Sequence, residues 1–292
     1  MRTLLAGLVA AVASPLGLSD GRVPAQGPPA KADAKPVVLS MELLASRPLI
    51  RISVNGKGPF AFLISPEVET TLVDRTLADE LDLKTKDRAS GGASYDVALE
   101  FASTKVTVPV AVTDIAHLVP EFGAGARPRG VISLTVWKEQ LVTLDYSRWR
   151  VTIEPGALPD ADERAVFKLS PSRELIIPLM AGERSVPCRV DPLFSGGIIV
   201  PASFVKELKT VGKSMPPRTV NTPKGPIDVQ ETQLAVSVKL GGFELLNPTL
   251  QVSDRLPNAI VGGQTLAGFS ITYDLTNGRA RLERQKGSAG RN

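Results

Sequence analysis

The chain writes one pattern twice. The stretch from Leu49 to Leu81, LIRISVNGKGPFAFLISPEVETTLVDRTLADEL, returns from Leu175 as LIIPLMAGERSVPCRVDPLFSGGIIVPASFVKEL. Laid over each other without a gap, Gly56 falls on Gly182, Phe62 on Cys188, Ile64 on Val190 and Ser65 on Asp191. Each copy reads as apolar strand, turn at the glycine, apolar strand, tight polar loop, apolar strand and short helix. The tails repeat as well: GVISL and VTLDYSRWRVTIE, from Gly130 and Val142, match AIVGG and ITYDLTNGRARLE, from Ala259 and Ile271. A period of about 126 to 129 residues is the size of one ordinary domain. Solenoid units are far shorter, so the repeat means a duplicated domain.

A chain of 292 residues with 43% hydrophobic and 22% charged side chains can bury a sizeable core. The net charge of +4 comes without a long Lys/Arg run or interleaved aromatics, so it reads as solvated surface and no nucleic-acid partner is expected. Met1-Arg2 and the apolar run Leu4 to Ala13 have the form of a signal peptide. Residues 1–25 fill that role, with cleavage after Val23-Pro24-Ala25, or after Ala11-Val12-Ala13 as a second candidate. The run falls short of the about 20 apolar residues a membrane helix needs. No cysteine follows it, so no lipid anchor and no membrane span of the mature chain are expected. Export to the periplasm or beyond is the expectation.

Cys188 is the only cysteine and His117 the only histidine, so neither a disulfide nor a metal site is expected. Gly241-Gly242 and Gly262-Gly263 lack the strand–loop–helix setting and the lysine of a phosphate loop, so no cofactor is expected. Cys188 aligns with Phe62 in an apolar strand and reads as a buried thiol; Trp137 and Trp149 read as packing residues.

Residues 26–36 read as a solvated linker, 37–156 as the first domain, 157–166 as a Pro/Asp/Ala-rich connection, 167–284 as the second domain and 285–292 as a disordered tail. Within the first domain Leu49–Val54 and Phe60–Ile64 flank Asn55-Gly56, a hairpin signal because both central residues of a type I′ turn need positive φ. Asp74 precedes a short helix whose Leu77, Leu81 and Leu83 share a face. Ala89 to Ser94, with Gly91 and Gly92, has the composition of a hairpin tip leading into strands Tyr95–Phe101 and Lys105–Val112. The second domain follows the same plan, with a strand Val229–Val238. Short strands between turn residues make the chain all-β with a few short helices.

Strand–Gly–strand, FLI followed by TTLV, a helix ending in ADEL, a Gly-rich hairpin and GVISL before VTLDY resemble a retropepsin-type aspartic peptidase domain, here in tandem. The resemblance covers about Val37 to Glu283 and implies two acid-protease β-barrel domains related by a pseudo-twofold axis. It also implies one catalytic Asp from each half, in an Asp-Thr/Ser-Gly loop. Two carboxylates about 3 Å apart cannot both ionise, and the shared proton makes one a base and the other an acid.

Here the loops read Ser65-Pro66-Glu67 and Asp191-Pro192-Leu193. Asp191 is the surviving catalytic candidate, and Ser65 stands where the other Asp belongs. Proline replaces the hydroxyl residue in both loops, removing the hydrogen bonds that lock them together. Glu67 occupies the place of the small glycine. The floor motif of two apolar residues and Gly is kept at Gly262 but reads Val131-Ile132-Ser133 in the first half.

The expectation is an exported retropepsin-like protein without catalysis, whose groove suits an extended peptide or unfolded segment through Ser65, Glu67, Tyr95, Gly91, Gly92 and Gly262. Two alternatives stand beside it. One is an active aspartic-type peptidase in which Asp191 works with Glu67 as a displaced partner. The other is a structural or assembly protein of the cell envelope.

Overall fold

In the computed structural model the described residues are 35–83, 94–119, 122, 127–212, 215–222 and 225–284. The expected signal segment, the tail and the Gly91-Gly92 hairpin tip lie outside them.

The first half supplies β1 (Val37–Ser40), β2 (Glu42–Leu44), β3 (Arg47–Val54), β4 (Lys57–Ser65) and β5 (Thr71–Asp74). Helix α1 (Arg75–Glu80) follows, then β6 (Ser94–Phe101), β7 (Thr104–Thr113), β8 (Gly130–Ser133), β9 (Leu141–Asp145) and β10 (Arg150–Glu154). The second half supplies β11 (Val166–Lys168), β12 (Leu175–Ala181), β13 (Arg184–Val190), β14 (Ile198–Pro201), α2 (Ala202–Val205), β15 (Thr210–Val211) and β16 (Arg218–Thr222). It continues with β17 (Gly225–Leu234), β18 (Val238–Leu240), β19 (Phe243–Leu245) and β20 (Thr249–Ser253). The chain then forms β21 (Ala259–Val261), α3 (Gly263–Leu266), β22 (Phe269–Asp274) and β23 (Arg279–Arg284). The protein is all-β, built as two barrels with short helices.

The first sheet runs β2-β3-β4-β8-β5-β7-β6 and closes because β3 also pairs with β6 at Ser53↔Glu100 and Val54↔Leu99. The second contains the same order, β12-β13-β21-β14-β20-β17, and β12 takes its closing pair from β18 at Leu179↔Leu240. Sequence patterning reads Val229–Val238 as one strand, but β17 stops at Leu234. There the Leu234 N–H turns to Pro248 O and the Ala235 N–H to Lys209 O, so the hairpin bends before β18.

The third sheet, β1-β10-β9-β22-β23-β11, joins the halves symmetrically. At its centre β9 and β22 run antiparallel with Thr143 opposite Thr272, its own counterpart in the repeat, and their hydroxyls lie 2.9 Å apart. A strand paired with its own image at equivalent residues places a local twofold axis between the two threonines. The connection between the halves is docked on β22 and β23, where Asp274 Oδ2 accepts from Leu158 N at 2.9 Å and Arg279 Nη1 donates to Leu158 O at 2.8 Å. Within it Asp162 Oδ1 accepts from the N–H groups of Val166, Ala165 and Arg164, which holds its carboxyl down at about 2. Leu158 is buried against Leu141 and Val166.

The gapless overlay needs one correction. Phe62 and Ile64 match Cys188 and Val190 in the core, but the core-facing residues of β3 are Ile50, Ile52 and Val54 against Ile177, Leu179 and Ala181 of β12. The first strands therefore correspond one residue out of step with the second. A register shift in β3 between Ile52 and Val54 absorbs the difference. Asn55 and Gly56 take φ of 52° and 76°, as a type I′ turn requires. In α1 the Asp74 side chain caps the helix by accepting from Thr76 N at 3.0 Å, with Leu77 buried beneath and Leu81 and Leu83 half-buried.

Trp137 packs edge-on to Phe101 with ring centres 5.2 Å apart. Trp149 does not pack: it is 63% exposed and holds φ of 53°, the turn position that Gly278 fills in the second half at 60°. The left-handed turn costs a side chain about 1 kcal/mol. Trp149→Gly is therefore expected to leave the melting temperature unchanged or raise it, where losing a packed tryptophan costs about 3–5 kcal/mol; thermal unfolding of the variant checks this. Among the described residues no helix is long and apolar enough to cross a membrane.

Candidate functional site

Strands β4 and β13 run parallel to β8 and β21, with Ser65 opposite Ser133 and Val190 opposite Val261. Strands covered on both faces are continuous apolar runs, and the last four residues of β4 are all buried. The two loops leave these strand ends beside the shared sheet. Asp191 and Ser65 are each 2% exposed.

The centre of the site is Arg189, which sequence reasoning missed. Its side chain is 9% exposed and donates from Nη2 to Asp191 Oδ2 at 2.8 Å. From Nη1 the same guanidinium reaches Glu67 Oε2 at 3.3 Å, across the halves, and Glu174 Oε1 at 3.5 Å. The other oxygen of Asp191, Oδ1, accepts from Leu193 N at 3.0 Å. Ser65 Oγ accepts from Glu67 N at 3.2 Å. Glu67 and Asp191 thus share a cation, and each oxygen of Asp191 receives an N–H.

Arg189 occupies the position that Leu63 holds in the first half, and Leu193 the position of Glu67. The corresponding contact on the other side of the pseudo-twofold is apolar: Leu193 packs in one buried cluster with Leu49, Leu63 and Val131 of the first half. One cross-half contact is greasy and its mirror is ionic.

Proline stands second in both loops, at Pro66 and Pro192, yet each loop is tied to the other half. Buried Arg47 donates from Nε to Leu193 O at 2.6 Å, and Arg173 from Nη1 to Val68 O at 3.4 Å. Each half sends an arginine to the other half's loop. Ser133, where the second repeat has Gly262, donates from Oγ to Val68 O at 2.6 Å and holds the first loop from below. Gly262 keeps its reason in the second half, since a Cβ there would lie 2.4 Å from Phe194 O. Its N–H donates to Gly197 O at 2.8 Å.

Tyr95 lies in β6 opposite Val110, half-buried against the first barrel's core. Gly91 and Gly92 lie outside the described residues. His117 Nδ1 is 3.0 Å from Asp114 O in a short helical turn, and Cys188 is buried, with burial pushing its thiol up. Tyr146 and Tyr273 are buried near the site. Burial pushes both phenols far up and the Asp191 charge adds to it, so neither is an acid at ordinary pH.

Beside the Asp191 loop, a cavity of about 300 Å³ is lined by Phe194, Gly196, Arg218, Val220, Gln251 and Gln264, among others. Strand β16 forms one wall and the loop after Asp191 the other.

The signal for Arg189 was present: a charged residue inside Val186-Pro187-Cys188-Arg189-Val190, two positions before Asp191 and so on the same face of the strand. Its counterpart in the first repeat is a leucine. A charge at a position where the repeat keeps an apolar residue must find partners in the fold.

No protein-family model and no curated protein matches this sequence. Among solved structures, basic 7S globulin from soybean aligns over 85% of this chain and 94% of its own, at 13% identity and a TM-score of 0.48.

Proposed function

We propose that this chain is an exported, non-hydrolytic protein of acid-protease-like architecture that holds an extended polypeptide segment in the groove beside the Asp191 loop. The observation that carries the reading is the Arg189 guanidinium shared by Asp191 and Glu67. Aspartic hydrolysis needs a carboxylate oxygen open to a water and an opposing acid to protonate the leaving amine. Here the aspartate oxygens receive donors from Arg189 and Leu193, and the opposite position is a serine hydroxyl. The displaced-pair alternative, Asp191 with Glu67, is disfavoured by the cation that both contact.

The binding side of the proposal rests on the cavity between β16 and the Phe194–Gly196 loop, where an extended chain meets backbone groups and a polar floor. The test is hydrogen exchange with and without a reduced, carboxymethylated and therefore unfolded protein. The expected result is slowed exchange at 194–197 and 218–220, with the added polypeptide intact in mass. Unchanged exchange in both segments defeats the groove.

A further inference from the structure

One residue lining the cavity carries a buried polar atom that is unanswered. Gln251, on β20 between Ile199 of β14 and Glu231 of β17, is 8% exposed. Its neighbour Leu250 enters the barrel core, so Gln251 faces the opposite side of the sheet, into the cavity. Gln251 Oε1 is buried and has no hydrogen-bond partner among the described residues. A buried acceptor left without a donor is costly, and a site built to be completed by a ligand carries such a group.

We infer that this cavity is a subsite for a neutral carboxamide, an Asn or Gln side chain of the bound segment, with its NH2 donating to Gln251 Oε1. The inference rests on the groove reading above for the peptide, but not for the amide chemistry. Three features select that group. The unpartnered atom is an acceptor, so the ligand must bring a donor. Among the described residues lining the cavity none is acidic, so a lysine ammonium would be desolvated without a counter-charge. Arg218 at the exposed rim, itself 3.5 Å from Glu231, offers donors to a ligand carbonyl and repels a cation. Phe194 and Val220 provide apolar walls for the methylenes. A carboxamide carries its donor and its acceptor on separate atoms at the end of a methylene stem, so one can point inward while the other meets Arg218, which a single hydroxyl oxygen does not span.

The test uses the full chain and two small probes of the same shape, propionamide and butanone, the second lacking any N–H. Binding is followed by NMR at the Gln251 side-chain amide and the Val220 methyl groups. Propionamide is expected to shift these signals with a millimolar Kd, butanone to bind at least tenfold more weakly, and Gln251→Leu to lose the propionamide response at least tenfold. Equal binding of the two probes, no response to propionamide, or an unchanged response in Gln251→Leu overturns the inference. Should Gln251→Leu fail to fold, the two probes on the unaltered chain still decide. Propionamide binding without binding of unfolded polypeptide supports the subsite and defeats the groove; polypeptide binding without a propionamide response does the reverse.

Discussion

Arg189→Leu is expected to destabilise the fold by about 3–5 kcal/mol, because it removes one guanidinium from the buried Asp191, from Glu67 and from Glu174 at one stroke. The cause is the lost ion pairing rather than lost packing, and this distinction can be measured. The triple variant Glu67→Leu, Arg189→Leu and Asp191→Ser writes onto the ionic side the residues that its mirror contact uses. Leucine then meets leucine across both halves, as Leu193 and Leu63 already do. Replacing a buried ionic set with packed apolar residues is commonly neutral or stabilising by about 1–4 kcal/mol. The triple variant should therefore return to within about 1 kcal/mol of the parent, and denaturant unfolding of the two variants gives the comparison. A triple variant as unstable as Arg189→Leu alone would mean that the cluster is not a self-contained ionic replacement for an apolar contact.

Gly263→Ala should cost about 3 kcal/mol or more. A Cβ on Gly263 would sit 1.9 Å from Ser46 O and 2.6 Å from Ser46 C, both backbone atoms of the other half. Rotating a side chain cannot relieve this clash; the turn at Ala45-Ser46 must back away from α3, carrying Arg47 and its bond to Leu193 O with it. For a domain of this size that corresponds to a fall in melting temperature of about 6–12 °C. Gly197→Ala is the matched control. Its nearest neighbour would be Thr265 Oγ1 at 3.6 Å, an ordinary contact, and a loss below about 1 kcal/mol is expected.

The duplication was legible because apolar period, turn residues and floor motif all recur, and each governs local structure wherever it stands. Asn55-Gly56 fixes its turn by the φ values its residues tolerate, and Asp74 caps α1 through its own side chain. The misread places depend on distant chain. β17 ends where its donors find Pro248 and Lys209, and Trp149 is expelled by a turn conformation rather than drawn in by its ring.

At the site, the serine at the position that Asp191 holds in the other repeat was visible in the sequence. The ion pairing around Asp191 was not, because Arg189 sits in a stretch that reads as apolar strand and its Glu67 partner lies on the other repeat. The arginines that tie the loops, Arg47 and Arg173, were hidden for a different reason: each binds a backbone carbonyl, and a carbonyl leaves no mark in a sequence.

The most direct measurement is mass spectrometry of an unfolded, carboxymethylated protein incubated with the purified chain from about pH 3 to pH 8, the range over which a carboxylate pair would titrate. The account predicts an intact polypeptide at every pH, from the parent chain and from Asp191→Asn alike. New peptides formed by the parent chain and absent with Asp191→Asn would contradict it, since Asp191 would then be activating water despite the arginine beside it.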